Sequence, residues 1–205
     1  IKDEIDPDEI KFIREDLNFL FEDTKEGLER VKHIVNGLKN FSSIDKSEML
    51  HFYNLSESIE NIVNITLGHI LEDVKLEVKL EKTPDILAYG SELNQALLNI
   101  IRNAINAVID KGDVENGLIN ISVKSDSEYV YCIIEDNGVG IPEDLFSDIL
   151  KPFFTTRSIG SGTGLGLSIA YDIIVTKHNG TLDIESQLGN GTKVIVKLPI
   201  VSSNN

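Results

Sequence analysis

Cysteine and long apolar runs are both scarce in this chain. Cys132 is the single cysteine among 205 residues, so an internal disulfide is excluded and a reducing compartment is favoured. No apolar run is long enough to span a bilayer, and no signal peptide is visible. We therefore expect a cytoplasmic location and no membrane contact by this segment, with Cys132 as a small buried hydrophobic residue.

Basic residues are also in short supply. The chain has 19 Lys and Arg against 34 Asp and Glu, which gives a net charge of -15 at pH 7. This balance argues against broad contact with nucleic acid or with an anionic membrane. An anionic ligand would need donors placed locally, because the overall field repels it. The hydrophobic content of 41% and the charged content of 26% are those of a globular protein with room for one or two domains.

The stretch from Asp136 to Pro142 is the most informative one. It follows an apolar run, Tyr129 to Ile134, that predicts a buried strand. A carboxylate at the end of such a strand needs a donor, and Gly138 and Gly140 let the backbone approach a flat ligand. The pattern suits an adenine, whose exocyclic amine can donate to the acid. A hairpin turn at the Asn-Gly dipeptide is the alternative.

Residues 92–111 predict a helix that is apolar over most of its circumference and therefore well buried. One narrow row of amide side chains interrupts it, consisting of Gln95, Asn99, Asn103 and Asn106. A solvated row would more commonly use Glu or Lys, and asparagine is a poor helix former. Amides that face into the molecule indicate a polar ligand. A structural hydrogen-bonding role is the alternative for Asn103 and the favoured interpretation for Asn106.

A glycine-rich loop, Gly162 to Leu167, runs into a predicted helix that starts at Ser168. Such a loop exposes N–H donors at the positive end of the helix dipole, which suits phosphate. The pattern G-x-G-x-x-G fails because Leu167 occupies its sixth place, and the lysine of a P-loop is absent. The sequence therefore supports neither a dinucleotide fold nor a Walker site.

Four blocks in this order resemble the N, G1, F and G2 boxes of the histidine-kinase catalytic domain. They are Asn99 with Asn103, Asp136 to Pro142, Lys151 to Arg157, and Gly162 to Leu167. That domain belongs to the superfamily of gyrase, heat-shock chaperone, histidine kinase and mismatch-repair ATPases. The resemblance covers roughly residues 54–199. It implies an α/β (α+β) two-layer sandwich, with a mixed sheet under helices.

The resemblance implies a site for ATP and Mg²⁺. Asp136 would hold adenine, and Asn103 would coordinate the Mg²⁺ that bridges the phosphates. The residues that the resemblance places at ATP are Asn99, Asn103, Asp136, Gly138, Gly140, Ile141, Gly162, Thr163, Gly164, Leu165, Gly166, Leu167 and Thr192. ATP-hydrolysing members carry a glutamate one turn before the Mg²⁺ ligand. Asn99 is an amide and cannot act as that base, so slow hydrolysis is expected.

Residues 143–161 are interpreted as a lid over the nucleotide. Arg157 is its candidate catalytic cation, which would neutralise β- or γ-phosphate charge, with an exposed surface cation as the alternative. Phe153 and Phe154 would anchor the lid in the core or contact dimerisation helices, with ordinary core residues as the alternative.

Residues 10–41 carry apolar residues at alternating spacings of three and four, which is typical of a helix in a bundle. Residues 8–43 are similar to the second helix of the kinase dimerisation hairpin, which implies a long dimerisation helix and a homodimer. A single amphipathic helix folded onto its own domain is the alternative. The phosphate-accepting histidine is missing, because His33 is not followed by a carboxylate. Since Ile1 is not an initiator methionine, we expect a fragment, with any sensor or membrane segment upstream.

The remaining patterns predict two domains, residues 1–45 for the partial hairpin and 52–201 for the catalytic domain. The elements expected in the second are a helix from Ser56 to Leu71 capped by Ser56, strands Val74 to Leu80 and Ile86 to Tyr89, a cap at Ser91, and a final hairpin of Thr181 to Gln187 and Lys193 to Pro199.

The sequence thus predicts ATP-dependent phosphorylation of a histidine in two-component signalling, with a response-regulator receiver domain as a further partner. Two alternatives stay open. One is a module that binds ATP to switch partners without transferring phosphate, and the other is an ATPase of the chaperone or gyrase type. A serine kinase of the anti-sigma type shares the four blocks but would not need the long N-terminal helix.

Overall fold

The computed structural model describes residues 49–66, 74–157 and 162–200, together with five residues near the N-terminus. Those five are helical and exposed: Leu17, Leu20, Phe21, Thr24 and Lys25. The rest of the predicted dimerisation helix, His33 and the end of the helix predicted to reach Leu71 lie outside the described residues.

The chain divides into two compact units. One consists of Ile1–Asp45 with Thr155–Thr163, and the other of Lys46–Phe154 with Gly164–Asn205. The domain boundaries predicted from the sequence stay a prediction. In the first unit, the Thr24 hydroxyl donates to the carbonyl of Leu20 at 2.6 Å, a bond back to the preceding helical turn.

The second unit combines strands and helices in mixed order. Its elements are β1 (His51–Tyr53), α1 (Leu55–Thr66), β2 (Lys75–Leu80), β3 (Ile86–Ala88), α2 (Gly90–Lys111), β4 (Leu118–Ser125), β5 (Tyr129–Asp136), α3 (Gly166–Tyr171, continued as a π-helix over Asp172–Lys177), β6 (Thr181–Gln187) and β7 (Gly191–Pro199). Short 3₁₀ turns at Val114–Asn116 and Glu143–Leu145 connect them.

Five strands form one mixed sheet in the order β2-β4-β5-β7-β6. The β2–β4 pair is parallel and the other pairs are antiparallel, while β1 and β3 form a separate antiparallel pair. Alternate residues of β5 and β7 are buried, as expected for strands with one face covered. α2 contacts three of these strands and α3, and the π-helix contacts β6. The fold class predicted from the sequence, a mixed sheet under helices, is confirmed.

α2 is the central helix of the helical layer, as its apolar pattern predicts. Its buried residues are Gly90, Leu93, Ala96, Leu97, Ile100, Ile101, Ala104, Ile105 and Val108. The helix ends at Gly112, whose φ of 77° is the left-handed conformation that favours glycine at this position. Cys132 on β5 is fully buried, and burial raises the pKa of its thiol to about 12, which fits the predicted hydrophobic role.

Two predicted helix caps are wrong. The N–H of Glu57 donates to the side chain of Asn54 at 3.0 Å, so Asn54 caps α1 in place of Ser56. The Ser56 hydroxyl instead donates to the distant carbonyl of Glu81 at 2.7 Å. α2 starts at Gly90 with Tyr89 at the cap position, so Ser91 lies inside the first turn.

The final hairpin is confirmed, with β7 beginning at Gly191, two residues earlier than predicted. A core role for Phe153 is wrong, because its side chain is 59% exposed and its φ is 67°. Phe154 is half-buried.

Candidate functional site

Asp136 is the last residue of β5, and its side chain is only 7% exposed. The N–H of Gly138 donates to this carboxylate at 2.8 Å, and the N–H of Thr192 also stabilises it. Burial nevertheless dominates and raises the pKa of Asp136 to about 6, while the ammonium of Lys111 lowers it. A carboxylate held in this environment retains acceptor capacity that a ligand amine can satisfy.

Three polar side chains form a row across the end of the sheet. Asp136 pairs with Thr192 in the β5–β7 register, and Thr192 pairs with Ser186 in the β6–β7 register. Directly paired residues point to the same side of a sheet. This side of the sheet is the one covered by helices. Every second residue counted back from Asp136 along β5, and onward from Thr192 along β7, is buried. We call Asp136, Thr192 and Ser186 the polar row.

The loop after β5 lies directly against α2. A Cβ at Gly138 would overlap the backbone of Ala107, so only glycine permits this approach. The N–H of Val139 donates to the carbonyl of Ala107 at 3.1 Å, which joins the loop to the helix. Gly140 has a φ of 68°, and a Cβ there would overlap the carbonyl of Gln187. The two glycines therefore let the loop fit between α2 and the β6–β7 turn.

Four residues of α2, spaced four apart, connect this loop to the glycine-rich one. The Asn99 amide donates to the carbonyl of Gly166 at 3.2 Å, and Lys111 donates to the carbonyl of Asn137. Ala107 contacts the loop after β5, as described above. Asn103 lies between these contacts on the same side of the helix, since residues four apart share a face. We call Asn99, Asn103, Ala107 and Lys111 the α2 row.

The side chain of Asn103 is exposed, and those of Asn99 and Asn106 are half-buried. The prediction that these amides face into the molecule is therefore wrong for Asn103, which faces solvent between the two loops. Its oxygen is a hard neutral ligand of the kind Mg²⁺ accepts, so Asn103 has the chemistry to hold the ion.

The second half of the glycine-rich loop leads into α3. The first hydrogen bond of the helix runs from the N–H of Ile169 to the carbonyl of Leu165 at 3.0 Å, so the N–H groups of residues 166–168 precede the helical ladder. The Leu165 side chain is 6% exposed, and that of Leu167 packs partly buried against the core. Their side chains thus hold the loop in place, and only their backbone is suited to face a ligand.

Arg157, Gly162 and Thr163 belong to the first unit. The N–H of Arg157 donates to the hydroxyl of Thr155 at 3.2 Å, which is a local contact between residues two apart. The roles of these three residues at the phosphates stay predictions.

Three residues that position the site were not identified from the sequence. Asn137 joins the loop to the residues before β4: its side chain accepts from the N–H of Leu118 at 2.8 Å and donates to the carbonyl of Asn116 at 2.7 Å. Lys111 and Ser186 are the other two. The alternation of Leu182, Ile184 and Ser186 was a signal that could have placed Ser186 on the covered face.

Comparison with solved structures finds the same architecture in histidine kinases. The catalytic domain of the histidine kinase ThkA, in a nucleotide-free form, is 30% identical, with a TM-score of 0.64 over 74% of this chain and 98% of that domain. The mycobacterial sensor histidine kinase MprB is 25% identical, with a TM-score of 0.62 over 73% of this chain and 97% of that structure.

The family profile described as histidine kinase-, DNA gyrase B-, and HSP90-like ATPase matches residues 89–202, more than half of the chain. The chain belongs to this family. Its fold is that of the catalytic domains of sensor histidine kinases, as the four blocks predicted.

Curated relatives of this family member are named as kinases. Sporulation kinase B of Bacillus subtilis is 30% identical over 84% of this chain and 39% of its own length. Sensor histidine kinase ZraS of Escherichia coli K12 is 32% identical over 69% of this chain and 30% of its own length. The chain thus spans about a third of the length of these relatives. Within its described residues, none of the helices has the length and hydropathy of a membrane span.

Proposed function

We propose that this chain binds ATP with Mg²⁺ and transfers the γ-phosphoryl group to a histidine, as the catalytic part of a two-component sensor kinase. The observation that carries the proposal is the α2 row. Through Asn99 it holds the glycine-rich loop, and through Ala107 and Lys111 it holds the loop that follows Asp136. Asn103 lies between the two loops, so a nucleotide that contacts both loops would lie beside it.

The adenine end of the proposed site is Asp136. Its ionised form accepts hydrogen bonds only, and the exocyclic amine of adenine is a donor of matching chemistry. The Gly138 N–H already occupies one of its lone pairs at 2.8 Å, which orients the carboxylate. Gly138 and Gly140 let the adjoining loop pack against Ala107 and the carbonyl of Gln187, which holds Asp136 in place.

The phosphate end is formed by Asn103 and by the backbone of Gly164 to Leu167. Residues 166–168 place N–H groups ahead of the first hydrogen bond of α3, where anions bind favourably. Mg²⁺ would supply charge neutralisation for the phosphates when bound. Catalysis would then consist mainly of positioning and electrostatic stabilisation, as is general for phosphoryl transfer.

Hydrolysis of ATP by this site should be slow. Asn99 stands where a general base would activate water, but its amide cannot accept a proton at neutral pH. Its NH₂ group is also engaged with the carbonyl of Gly166. The phosphoryl group would therefore be retained for a protein acceptor.

The acceptor histidine is proposed to come from a different segment or chain. Of the histidines that the structure describes, His178 is 6% exposed and has both ring nitrogens in contact with backbone groups. His51 is exposed but lies next to Phe52 and Tyr53, without an adjacent carboxylate. A homodimer through residues 1–45, and a receiver domain that takes the phosphoryl group onward, complete the proposal.

The test supplies the acceptor as a separate polypeptide. The 205-residue chain is incubated with γ-labelled ATP and Mg²⁺, with and without a helical hairpin that carries a histidine. We expect acid-labile, base-stable label on the hairpin and none on the chain itself. A hairpin with glutamine in place of the histidine, and the Asn103→Ala chain, are the matched controls.

Other outcomes would decide between the alternatives. ATP binding without label on any hairpin would favour a nucleotide-sensing module over a kinase. Steady-state phosphate release that exceeds transfer would favour an ATPase. Acid-labile label on His33 would show that the chain contains its own acceptor.

A further inference from the structure

Ser186 is the residue of the polar row that touches the most partners. The N–H of Ile141 donates to its hydroxyl oxygen at 2.8 Å. The same hydroxyl lies 2.8 Å from the carbonyl oxygen of Gly191 and 2.9 Å from the hydroxyl oxygen of Thr192. Ser186 thereby joins the loop that follows Asp136 to the β6–β7 hairpin.

These contacts determine which atom donates in each bond. The carbonyl of Gly191 carries no hydrogen, so the Ser186 hydroxyl must donate to it. A hydroxyl has one hydrogen only, and the hydrogen of Ser186 is therefore used. The 2.9 Å contact with Thr192 is then a bond in which Thr192 donates and Ser186 accepts. Thr192 is left with its oxygen lone pairs and no hydrogen for a ligand.

We propose that Ser186 is a positioning residue that fixes the hydroxyl of Thr192 as an acceptor, so that the site selects a 6-amino purine over a 6-oxo purine. The inference rests on the proposed function, because it concerns the base end of the same nucleotide site. Thr192 is half-buried beside Asp136, its partner in the β5–β7 register. The base edge next to Thr192 must then bring a donor, and an amino group provides one.

Asp136 alone does not make this choice. A carboxylate accepts from the 6-amino group of adenine, but it accepts equally well from the N1–H of a 6-oxo purine. Discrimination needs a second group whose donor or acceptor character is fixed. A 6-oxo group placed against the lone pairs of Thr192 would be an acceptor facing an acceptor, and a buried acceptor without a donor is unfavourable.

The experiment compares ATP and ITP, which differ at position 6 of the purine. Calorimetric titration of both nucleotides is carried out on the unmodified chain and on Ser186→Ala, Thr192→Val and the double variant. We expect the unmodified chain to prefer ATP, and Ser186→Ala to reduce the ratio of ATP to ITP affinity about tenfold, the value of one hydrogen bond. In that variant the Thr192 hydroxyl is free to rotate and donate to the 6-oxo group.

The ratio of ATP to ITP affinity is the readout, because a purely structural role of Ser186 would weaken the binding of both nucleotides alike. Since Ser186 acts through Thr192, the double variant should show the same ratio as Thr192→Val. Ser186→Thr keeps the hydroxyl and should keep the ratio. Thr181→Val, at the opposite end of β6, is the matched control. Thermal melts of each variant report folding, and Thr192→Val carries the test if Ser186→Ala does not fold.

The role of Ser186 would be overturned by an unchanged ratio of ATP to ITP affinity in Ser186→Ala. It would also be overturned if the double variant showed a lower ratio than Thr192→Val. Neither result would contradict ATP binding by the chain. A chain that does not bind ATP, or whose ATP affinity is unaffected by Asp136→Asn, would refute the proposed function itself. The two failures are therefore distinguishable.

Discussion

Replacing Asp136 by asparagine should remove nucleotide binding without weakening the fold. The side chain is almost the same size, so packing at the end of β5 is kept. The chemistry changes, because an amide presents a donor where the ionised carboxylate presents only acceptors. A charged hydrogen bond contributes about 1.5–3 kcal/mol, and a donor left facing a donor costs about 1–3 kcal/mol. Together these values predict an ATP affinity lower by about 10²- to 10⁴-fold.

The same substitution should leave the protein as stable as before, or more stable, at neutral pH. Burial raises the pKa of Asp136 from 3.8 to about 6. A carboxyl group whose pKa is raised by folding stabilises the folded state below pH 3.8 and loses that contribution as the pH rises through 6. At pH 7 the ionised group therefore disfavours folding by up to about 3 kcal/mol, at 1.36 kcal/mol per pKa unit. Asparagine removes this penalty, although it satisfies fewer of the neighbouring N–H groups.

The assay is calorimetric titration with ATP and Mg²⁺, paired with urea unfolding at pH 5 and pH 7. Asp126→Asn is the matched control at the opposite end of the β4–β5 hairpin. Asp126 accepts N–H groups from Glu128 and Tyr129 at 2.8 Å each, and its pKa is lowered, first by the hydroxyl of Tyr131. That variant should bind ATP normally and lose stability. Unchanged ATP affinity in Asp136→Asn would refute the assignment, and a large loss of stability at pH 7 would refute the electrostatic argument.

Four further predictions follow from particular residues. Asn103→Ala should weaken the binding of Mg²⁺·ATP and leave the binding of adenosine unchanged in calorimetric titration. Thermal melts should show unchanged stability, because the Asn103 side chain is exposed. Gly140→Ala should lower the free energy of unfolding in urea more than Gly189→Ala does. Both glycines have positive φ, so alanine costs about 1–2 kcal/mol of backbone strain at either position. Only at Gly140 would the added Cβ also overlap a backbone carbonyl, that of Gln187. ATP affinity should fall about tenfold per pH unit below pH 6, where Asp136 takes up a proton; a flat titration profile would exclude this. Burial lowers the pKa of His178 below its ordinary 6.5, so acid should destabilise the fold below that pH, and His178→Phe should flatten the decline in urea melts.

Much of the fold was predictable because its signals are local. The buried face of α2 follows from the spacing of its apolar residues, and the final hairpin follows from alternation on either side of Gly189 to Gly191. The caps were not predictable in the same way. Asn54 and Ser56 are both good capping residues, and the choice depended on the carbonyl of Glu81, which draws Ser56 away from the helix end.

The residues of the candidate site also differ in how far the sequence could identify them. Asp136, Gly138 and Gly140 could be proposed from the sequence, because their stretch stands in order with the other three blocks of the resembling family, whereas alone it would fit a turn equally well. The exposure of Asn103 was not, since an amide row on a helix has the same pattern whether it faces a cleft or the interior. Alternation with Leu182 and Ile184 could have placed Ser186 on the covered face, but its contact with Thr192 depends on the strand pairing, which the sequence does not show.

The sequence by itself determined the order of the elements, the covered face of each strand and the residues that have the chemistry for a nucleotide. Only the tertiary structure decided which of them meet. The α2 row contacts two loops at separations of 26 to 67 residues along the chain. The polar row joins β5 to the β6–β7 hairpin, which is distant from it in the sequence and adjacent in the sheet. Hydrogen-bond direction at Thr192 depends on Ser186 and Gly191 together, because a single hydroxyl hydrogen can serve only one acceptor.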